Sequence, residues 1–584
     1  MVSKWNFTPL TDEQERQKMA LSEELGISPI LCQLLVQRGI RTFSEAKSFF
    51  RPQLTELYDP FLMNDMDKAV ERLNQAIGRK EKILVYGDYD VDGITAVALV
   101  YKFLRKYFCS KSQVDFYIPD RYTEGYGVSY QGIDYAAKNK FNLVIALDCG
   151  IKAVEKVEYA NKLGVDFIIC DHHTPDDFLP NAVAVLDPKR VDSTYPDSNL
   201  SGCGVGFKLM QAFAQNNNIE FESLIPLLDL LAVSIASDIV PINGENRILA
   251  FYGLKQLNTS PCVGMKSIID ICGLSDKEIS ISDVVFKIGP RLNASGRLQS
   301  AKEAVKLLII PEESTEDKDK KTPEKMALKI DQYNKDRKEL DKNITDEATE
   351  ELENAEDFEK QSSIVVYNPS WHKGVVGIVA SRLTERYYKP TIVLTHSNGC
   401  ATGSGRSVQG FDIYKAIESC RDILENFGGH MYAVGLSMKE ENVPEFQRRF
   451  EKYVSENLSE EQRLPQIDID ACIDFREITP KFFRLLKQFS PYGPENSKPI
   501  FVTRRTFDYG TSKVVGKDQE HLKLELIDSK SECIMNGIAF GMSEFNDYIK
   551  GLNPVDICYT IEENTFNGNT SIQLVIKDIK KSDS

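Results

Sequence analysis

Four short apolar segments of this chain each lead into an aspartate, and this pattern constrains the fold more than any other feature. Short apolar segments separated by helical stretches predict buried parallel strands in βαβ units. In such a sheet the carboxyl ends of the strands meet at one edge, where ligands bind. Carboxylates gathered there repel each other, so the pattern indicates a cation site. The segments are residues 83–86 before Asp88, 143–147 before Asp148, 167–170 before Asp171 and 182–186 before Asp187.

The composition limits the class of protein. With 584 residues the chain is too long for a single hydrophobic core, so several domains are expected. A content of 42% hydrophobic and 27% charged residues is typical of soluble globular proteins. The net charge of −16 argues against a generally basic nucleic-acid-binding surface, although it leaves room for a local basic groove.

The cysteines and the N-terminal residues favour a reduced, cytoplasmic protein. The 12 cysteines include no Cys-x-x-Cys pair, so neither a zinc knuckle nor a disulfide framework is predicted. The first residues lack the apolar core of a signal peptide. The most apolar stretch, residues 224–242, contains Pro226, Asp229 and Asp238 and falls short of a membrane span. We therefore expect no membrane association.

Changes in hydrophobic periodicity divide the chain into segments and place it in the α/β class. Helical periodicity over 95–107 and 153–163 separates the first strands, and residues near the C-terminus alternate with period two, which predicts a small antiparallel barrel. The predicted segments are a helical lead-in over 1–64, a doubly wound parallel-sheet domain over 65–300, an acidic exposed loop at 311–321 with a long connector helix within 301–362, a second α/β domain over 363–460 and the barrel over 466–584.

Asp90 and Asp92 lie two residues apart directly after the first predicted strand. Both side chains can therefore project into one cleft, and Gly93 lets the turn approach a ligand closely. An isolated Asp-x-Asp is weak evidence, because surface turns are rich in aspartate. Asp148 or Asp187, taken alone, is more often a turn residue.

The sequence Asp171-His172-His173 is far more specific. It directly follows four apolar residues, and polar groups at a buried strand end are costly without a partner. Asp238 adds a carboxylate at the end of a buried helix predicted over 230–237. Carboxylate oxygens with one or two imidazoles favour Mg²⁺ or Mn²⁺ over zinc. Two such ions suit in-line attack of water on a phosphoryl group.

These residues together resemble the four motifs of the DHH phosphoesterase superfamily. Three further stretches resemble its RecJ branch, the bacterial single-strand-specific 5′→3′ exonucleases. Other stretches resemble the DHH-associated domain, and the C-terminal barrel resembles an OB-fold. The resemblance covers nearly the whole chain in the expected domain order. The branch-specific stretches are residues 118–127, 289–297 and 490–494, and those of the DHH-associated domain are 371–382, 403–407 and 427–435.

The resemblance implies roles for particular residues. Asp171 orients the histidine pair or binds metal, His173 lies behind the metal ligands or touches the scissile phosphate, and Asp88 lies beside the metals. Asp187 matches none of the motifs and is expected to be structural. The implied metal ligands, for two Mn²⁺ or Mg²⁺ ions, are Asp90, Asp92, Asp148, His172 and Asp238.

The resemblance also implies a phosphate-binding set. Arg121, Ser404 and Arg406 are expected to hold the 5′ end of the strand, while Arg291 is either a backbone contact or a structural salt-bridge residue. Glycine beside Ser, Arg and His suits phosphate, because backbone N–H groups and a guanidinium can both close on an oxyanion. Phe427 and Val434 stand where the wider superfamily often has Gly and Ala, which affects local packing. The remaining expected substrate residues are Gly428, Gly429 and His430.

Rings and charges interleave in the predicted barrel, as in non-specific single-strand binders. Because about half of such aromatics belong to the core of a small barrel, none receives an individual role. The residues concerned are Phe501, Arg504, Arg505, Phe507 and Tyr509.

The predicted function is therefore a metal-dependent 5′→3′ exonuclease that degrades single-stranded DNA to 5′-mononucleotides in repair and recombination. The expected partners are single-stranded DNA, a single-strand-binding protein and a helicase, and the chain is expected to be a monomer. One alternative is an oligonucleotide or cyclic-dinucleotide phosphodiesterase, whose relatives are shorter and lack the barrel. The other is a non-catalytic single-strand-binding replication scaffold, which the intact ligand positions disfavour. An inorganic pyrophosphatase would have no use for the barrel.

Overall fold

The computed structural model describes residues 3–311, 322–355, 357–566 and 568–582. The acidic loop predicted at 311–321 lies, apart from the exposed Pro311, outside these residues. The chain forms two compact units. One contains the residues up to 51, 344–490 and those from 497 onward, and the other contains residues 52–343 and 491–496. Among the described residues, no helix has both the length and the apolar content needed to cross a bilayer.

The N-terminal lead-in is helical, as predicted, but a strand precedes its helices. This strand pairs in parallel with residues 466–469, so Trp5 lies opposite Ile467. Residues 466–469 were expected to belong to the C-terminal barrel, and the partner that they have instead is more than 450 positions away. The lead-in elements are β1 (Lys4–Phe7), α1 (Asp12–Leu25), α2 (Pro29–Gln37) and α3 (Phe43–Phe50).

A five-stranded parallel sheet forms the centre of the second unit. The four apolar segments that end on aspartates are all strands, and the last is only three residues long. The sequence analysis missed the edge strand 114–117, whose mixed polarity reflects its partial exposure. The elements are α4 (Met66–Gly78), β2 (Ile83–Gly87), α5 (Val91–Tyr107), β3 (Val114–Tyr117), α6 (Tyr130–Lys138), β4 (Leu143–Leu147), α7 (Val154–Lys162), β5 (Asp166–Cys170) and β6 (Ala184–Leu186).

Helices cover both faces of this sheet, which confirms the doubly wound prediction. Alternate residues of β2 point to opposite faces, so Val85 packs in the core that contains α5, whereas Leu84 packs in the core that contains α6 and α7. The strand order is β3-β2-β4-β5-β6. The winding direction therefore reverses between β2 and β4, and ligands bind in the crevice at such a reversal.

A helical layer completes this unit. The buried helix predicted over 230–237 is present as α9, with Asp238 at its C-terminal cap. A π-helical turn, residues 284–288, directly precedes the Gly-Pro-Arg motif. The helices are α8 (Gly202–Asn216), α9 (Leu228–Ser237), α10 (Gly244–Thr259), α11 (Val263–Ile271), α12 (Ile281–Asp283), α13 (Gly289–Leu298) and α14 (Lys302–Leu308), followed by the connector helix α15 (Thr322–Glu353).

Residues 364–457 of the first unit form a mixed sheet with three helices. The strand order is β10-β11-β9-β8-β7, in which only β7 and β8 are parallel. The elements are β7 (Ile364–Tyr367), α16 (Val376–Tyr387), β8 (Thr391–Ser397), β9 (Cys400–Arg406), α17 (Ile413–Glu418), β10 (Asn426–His430), β11 (Ala433–Met438) and α18 (Val443–Asn457).

The C-terminal segment closes into a five-stranded barrel. The strands follow one another in the order β14-β16-β17-β19-β18 and back to β14. A five-stranded barrel is the architecture expected for the OB-fold that the sequence resembles. Contrary to the antiparallel prediction, β17 and β19 are parallel. The elements are β12 (Gln466–Ile469), β13 (Ala471–Cys472), α19 (Pro480–Lys487), β14 (Phe501–Asp508), β15 (Lys513–Val515), β16 (His521–Asp528), β17 (Ile534–Ala539), α20 (Asn546–Lys550), β18 (Val555–Phe566) and β19 (Asn569–Lys581).

The barrel separates the aromatic residues that the sequence grouped together. Phe501 is fully buried in the core and Phe507 is half-buried, whereas Tyr509 is exposed. Arg504 and Arg505 are exposed as well. Of the three rings, only Tyr509 is therefore freely accessible for stacking on a base.

Candidate metal centre

The loop after β2 places three aspartates around the N-terminus of α5. Asp90 caps this helix, and its Oδ1 accepts a hydrogen bond from the Gly93 N–H at 3.0 Å. A Cβ atom at Gly93 would lie 2.4 Å from the carbonyl oxygen of Asp88. Glycine is therefore required here by the close approach of the Asp88 backbone, and the expected close approach of the turn to a ligand stays a prediction. Asp92, in the first turn of α5, faces the sheet edge and is fully buried.

The N-terminus of α8 holds the Asp92 carboxylate in place. The backbone N–H of Gly202 donates to Oδ2 at 2.6 Å, and that of Cys203 donates to Oδ1 at 2.8 Å. The Ser234 hydroxyl of α9 donates to Oδ1 at 2.7 Å. Helix N-terminal amides stabilise a carboxylate in this position. Burial and the nearby Asp90 nevertheless raise the pKa of Asp92 to about 6.

His172 lies at the centre of the remaining carboxylates. Its Nε2 is 3.2 Å from Asp148 Oδ1, 3.5 Å from Asp238 Oδ2 and 3.8 Å from Asp92 Oδ2. Two overlapping sets of donor atoms, each within 4.8 Å, could hold a metal ion: Asp92, His172 and Asp238 form one, and Asp148, His172 and His173 form the other. The tertiary structure thus places three of the five predicted ligands around a fourth, the imidazole of His172.

The electrostatics of this cluster call for a cation. Burial raises the pKa of Asp88 and of Asp148 well above the ordinary value, and in each case a neighbouring carboxylate adds to the shift. The pKa of Asp238 rises to about 8 through burial and through Asp92 and Asp90. Burial and the neighbouring His173 lower the pKa of His172 to about 3, which keeps its imidazole neutral. A neutral imidazole is the form that binds metal.

Unpartnered oxygen atoms provide an independent test of the metal assignment. Asp148 Oδ1 and Asp88 Oδ2 are buried, and neither has a hydrogen-bond partner within the described parts of the chain. Buried polar atoms normally have partners, so these oxygens are available for an ion. The donor set, mostly carboxylates with one neutral imidazole, fits Mg²⁺ or Mn²⁺.

In contrast to Asp148 and Asp88, Asp171 accepts hydrogen bonds at both carboxylate oxygens. Its Oδ1 accepts hydrogen bonds from the backbone N–H groups of His172 at 2.8 Å and His173 at 3.2 Å, and from His173 Nδ1 at 2.7 Å. Its Oδ2 accepts from the Ile151 N–H at 2.9 Å. Burial would raise the pKa of Asp171, but the hydrogen bond and charge of His173 outweigh it and leave the pKa lowered. Of the two roles left open, this arrangement favours orientation of the histidine pair.

His173 makes a second hydrogen bond that the sequence analysis did not anticipate. Its Nε2 lies 3.0 Å from the hydroxyl of Tyr126. Burial lowers the pKa of His173, but the hydrogen bond and charge of Asp171 outweigh this effect and raise it to about 9. Tyr126 lies within residues 118–127, one of the stretches that resemble the RecJ branch, so the sequence marked this region as functional. No local feature of the sequence connects Tyr126 to a histidine 47 positions away.

Two predicted arginines have different surroundings. Arg121 stacks over the ring of Tyr89, with its Cζ 4.8 Å from the ring centroid. Tyr89 lies between Asp88 and Asp90 in the sequence. Arg291 pairs with Asp331 at 2.8 Å and donates to the Lys287 carbonyl at 2.8 Å. The structure therefore favours the salt-bridge alternative for Arg291.

Asp187 makes a turn contact through one carboxylate oxygen, while its buried Oδ2 has no hydrogen-bond partner among the described residues. Its Oδ1 accepts a hydrogen bond from the Lys189 N–H at 2.7 Å. Burial raises its pKa to about 7.

In the first unit, two of the predicted phosphate-binding residues on β9 lie beside a helix N-terminus. A Cβ atom placed on Gly377, in the first turn of α16, would lie 3.3 Å from both Ser404 Oγ and Arg406 Nη2. A serine hydroxyl and a guanidinium therefore converge on a helix N-terminus, which attracts anions. Burial lowers the pKa of Arg406, whose Nη1 donates to the Gly405 carbonyl at 2.7 Å.

The sheet register aligns the other predicted phosphate residues with this pair. Gly435 lies opposite Ser404 on one side and Gly428 on the other, while Ala433 lies opposite both Arg406 and His430. Directly paired residues share a face of the sheet. Gly428 and His430 therefore lie on the face of Ser404 and Arg406, with only small residues between them. Gly429 has a φ of 145°, and a Cβ there would lie 2.2 Å from the Ala433 carbonyl oxygen.

Known family models match the chain in the order of these domains. Residues 82–235 match the DHH family N-terminal domain, residues 360–456 the DHHA1 domain and residues 469–578 the RecJ OB domain. A single-stranded-DNA-specific exonuclease RecJ from Bacillus subtilis (strain 168) is 37% identical over 585 residues, which cover 100% of this chain and 72% of that protein. The protein of the same name from Escherichia coli (strain K12) is 32% identical over 571 residues, covering 95% of this chain and 96% of its own length.

The chain belongs to the RecJ family. The crystal structure of RecJ in complex with Mn²⁺ from Thermus thermophilus matches it with a TM-score of 0.82 at 25% identity, covering 100% of this chain and 80% of that one. A second RecJ crystal structure, bound to manganese, matches with a TM-score of 0.58 at 28% identity, covering 70% of this chain and 98% of that one. The predicted family and the predicted fold class are both confirmed.

The raised pKa values predict that the metal-free protein loses stability as the pH rises from 7 to 9. Asp238, with a pKa of about 8, and His173, with a pKa of about 9, bind more protons when folded than when unfolded. Each contributes a slope of up to about −1.4 kcal/mol per pH unit. Thermal melts with chelator should therefore show a Tm that falls over this range, and melts with Mn²⁺ should show a flatter curve. Asp238→Asn should reduce the slope of the metal-free protein, and an undiminished slope would contradict the electrostatic assignment.

Close packing predicts that Gly202→Ala damages the metal centre. The added Cβ would lie 2.5 Å from Asp148 Cβ and 2.6 Å from its Oδ1, so this carboxylate must move. Calorimetric titration should show Mn²⁺ affinity weakened by about 10- to 100-fold. Gly78→Ala is the matched control, because a Cβ at that position meets no atom within 4 Å. Equal affinity in the two variants would show that Asp148 does not bind the ion.

Proposed function

We propose that this chain is a metal-dependent exonuclease that degrades single-stranded DNA from the 5′ end, releasing 5′-mononucleotides in DNA repair and recombination. The observation that carries the proposal is the convergence of Asp92, Asp148 and Asp238 on the neutral His172, at the switch point of a parallel sheet. The relatives that align with at least 95% of the chain are named single-stranded-DNA-specific exonucleases.

In this proposal the metal ligands are Asp90, Asp92, Asp148, His172 and Asp238, which hold two Mn²⁺ or Mg²⁺ ions. Bound ions of this kind activate a water molecule and stabilise the departing 3′-oxygen. Thermus thermophilus RecJ has been crystallised with Mn²⁺ and with Mg²⁺. The donor atoms of the present chain have the oxygen-rich composition that both ions prefer.

Other residues act on the substrate or on the ligands. Asp171, with its carboxylate saturated by hydrogen bonds, orients the two histidines. His173 presents a positive charge toward the scissile phosphate, in line with its raised pKa. Asp88 lies beside the ions, and its bare Oδ2 is the atom available to them or to a bound water.

The polarity of the enzyme rests on capture of the 5′-phosphate. Ser404 and Arg406 at the N-terminus of α16 form the proposed anion site. Arg121, which stacks over Tyr89, is a second proposed phosphate-binding cation. Gly428, Gly429 and His430 extend the open face beside Arg406. Binding of the 5′-phosphate would limit the length of DNA that extends to the ions, which would explain the release of single nucleotides.

Each domain of the chain has its own role in this proposal. We propose a lead-in over 1–64, the catalytic domain over 65–300, a connector over 301–362, the phosphate-binding domain over 363–460 and a single-strand-binding barrel over 466–584. We further propose that the enzyme works as a monomer in the cytoplasm, where a helicase and a single-strand-binding protein supply its substrate. An exonuclease confined to single strands needs such a supply whenever its target begins as a duplex.

Digestion of one oligonucleotide labelled at either end tests the proposal directly. With Mn²⁺ or Mg²⁺ present, label at the 5′ end should appear as a mononucleotide from the first time point, and label at the 3′ end should appear last. Chelator should stop the reaction, and the same sequence as a blunt duplex should resist it. Cleavage confined to fragments of two to five nucleotides would move the enzyme to the small phosphodiesterases, and binding without cleavage would indicate a scaffold.

Asp148→Asn should abolish cleavage while the fold is retained. The amide keeps the size of the side chain but removes the negative charge beside His172, and amides are weaker ligands for these ions. Activity should fall by about 100- to 1000-fold, the scale on which a single electrostatic group acts in catalysis. Asp115→Asn is the control, since Asp115 is exposed on the edge strand β3 and is not among the assigned ligands. Wild-type activity in Asp148→Asn would contradict the metal assignment.

Arg406→Ala should separate phosphate capture from chemistry. On substrates with a 5′-phosphate the KM should rise by about 10-fold or more, because a charge-assisted contact contributes about 1.5–3 kcal/mol. On substrates with a 5′-hydroxyl the variant should behave like the wild type. Arg386→Ala serves as the control, because Arg386 also lies on α16 and its exposed ion pair is with Glu353 of α15. An equal loss on both substrates would argue that Arg406 is structural.

A further inference from the structure

Tyr126 occupies a fixed position in the loop between β3 and α6. The neighbouring Gly127 donates its N–H to Asp88 Oδ1 at 3.2 Å and accepts a hydrogen bond from the Tyr86 hydroxyl at 2.9 Å. The loop is therefore anchored to the carboxyl end of β2, the strand that carries the metal-site aspartates. Glu124 adds a further anchor, since its carboxylate accepts from the Tyr117 hydroxyl at 3.0 Å and the Ser129 hydroxyl at 2.6 Å.

From this position Tyr126 completes a hydrogen-bonded chain through His173. The Asp171 carboxylate can only accept when ionised, so the proton between the two side chains lies on His173 Nδ1, 2.7 Å away. The other ring nitrogen, Nε2, lies 3.0 Å from the Tyr126 hydroxyl. The imidazole is thus held at both ends. A single hydrogen bond would leave the side-chain torsion angle χ2 of His173 free to vary over a broad range. Hydrogen bonds at both ring nitrogens fix this angle.

We propose that Tyr126 is a positioning residue for His173: its hydroxyl holds the imidazole at the orientation from which His173 meets the scissile phosphate. The inference rests on the proposed function, because it assumes that His173 contacts that phosphate. Tyr126 itself does not bind an ion and does not exchange a proton with the substrate. Its effect on the reaction passes entirely through the histidine.

The surroundings of the ring make the hydroxyl separable from the rest of the side chain. Tyr126 packs edge-on against Tyr89, with ring centroids 6.3 Å apart, and edge-on against His173 at 5.8 Å. Phenylalanine keeps both ring contacts and loses the contacts of the oxygen. These are the bond to His173 and a long contact of 3.4 Å with the Asp148 carbonyl. Tyr126→Phe therefore tests the hydroxyl rather than the packing of the loop.

The kinetic test uses Tyr126→Phe alone and combined with His173→Ala. The single variant should lower kcat by about 10- to 100-fold, the usual effect of removing a group that orients a metal-site residue. Its KM should stay within about twofold of the wild type, as expected for a group that does not contact the substrate. In the His173→Ala background the same change should have no further effect, because coupling between two groups appears as non-additivity. A wild-type kcat, or a loss that multiplies the His173→Ala loss, would overturn the proposal.

Tyr130→Phe is the matched control for the kinetics. Tyr130 begins α6 in the same domain, and its ring is in edge contact with Tyr159. Removing its hydroxyl should leave both kcat and KM unchanged. An equal fall in kcat in both tyrosine variants would show a general effect of the substitution on the domain and would overturn the proposal.

An NMR measurement tests the contact between Tyr126 and His173 without relying on nuclease activity. The chain has 6 histidines, few enough for each imidazole to be resolved in long-range nitrogen–proton NMR spectra of the Mg²⁺-loaded protein. Tyr126→Phe should shift the Nε2 signal of His173 and leave the histidines outside the metal centre unchanged. An unshifted signal would overturn the positioning role. If the wild type cleaves no DNA but the signal shifts, the proposed function fails while the contact that positions His173 is upheld.

Discussion

The mutual repulsion of buried carboxylates at one sheet edge is the constraint on which the rest of this structure depends. The fold brings the ends of β2, β4 and β5 and the end of α9 to the same crevice, and each delivers an aspartate. Water does not screen these charges, because most of the group is buried. A divalent cation is the natural counter-charge, and the oxygen-rich donor set determines which cation fits.

The buried carboxylates of this cluster differ in how many hydrogen bonds they accept. Asp92 and Asp171 are surrounded by hydrogen-bond donors, which hold both carboxylates in one orientation. Asp148 and Asp88 each keep one buried oxygen that no described residue satisfies. The hydrogen bonds fix the orientation of the first two carboxylates, whereas the bare oxygens of Asp148 and Asp88 leave lone pairs open to an ion or a water molecule.

Much of the fold was predictable because its signals are local. Strand-length apolar runs and the helix that ends at Asp238 follow from short-range periodicity, and their positions agree with the structure to within a few residues. The alternation near the C-terminus likewise predicted the strands of a barrel. The misses share a physical cause. The edge strand β3 is only partly buried, so its pattern is mixed, and β1 depends on a partner near residue 467. The parallel pairing of β17 with β19 likewise depends on how the barrel closes.

The sequence by itself determined the chemistry available to this protein: acids at strand ends, a histidine pair after a buried strand, and arginine and serine among glycines. These features lie within a few residues of one another, so spacing reveals them. Only the tertiary structure decided which groups meet. It committed Arg291 to Asp331, buried Phe501 in the barrel core, and placed the Tyr126 hydroxyl against His173. Such pairings depend on strand order and loop anchoring, and residues far apart in the chain carry no local record of their contact.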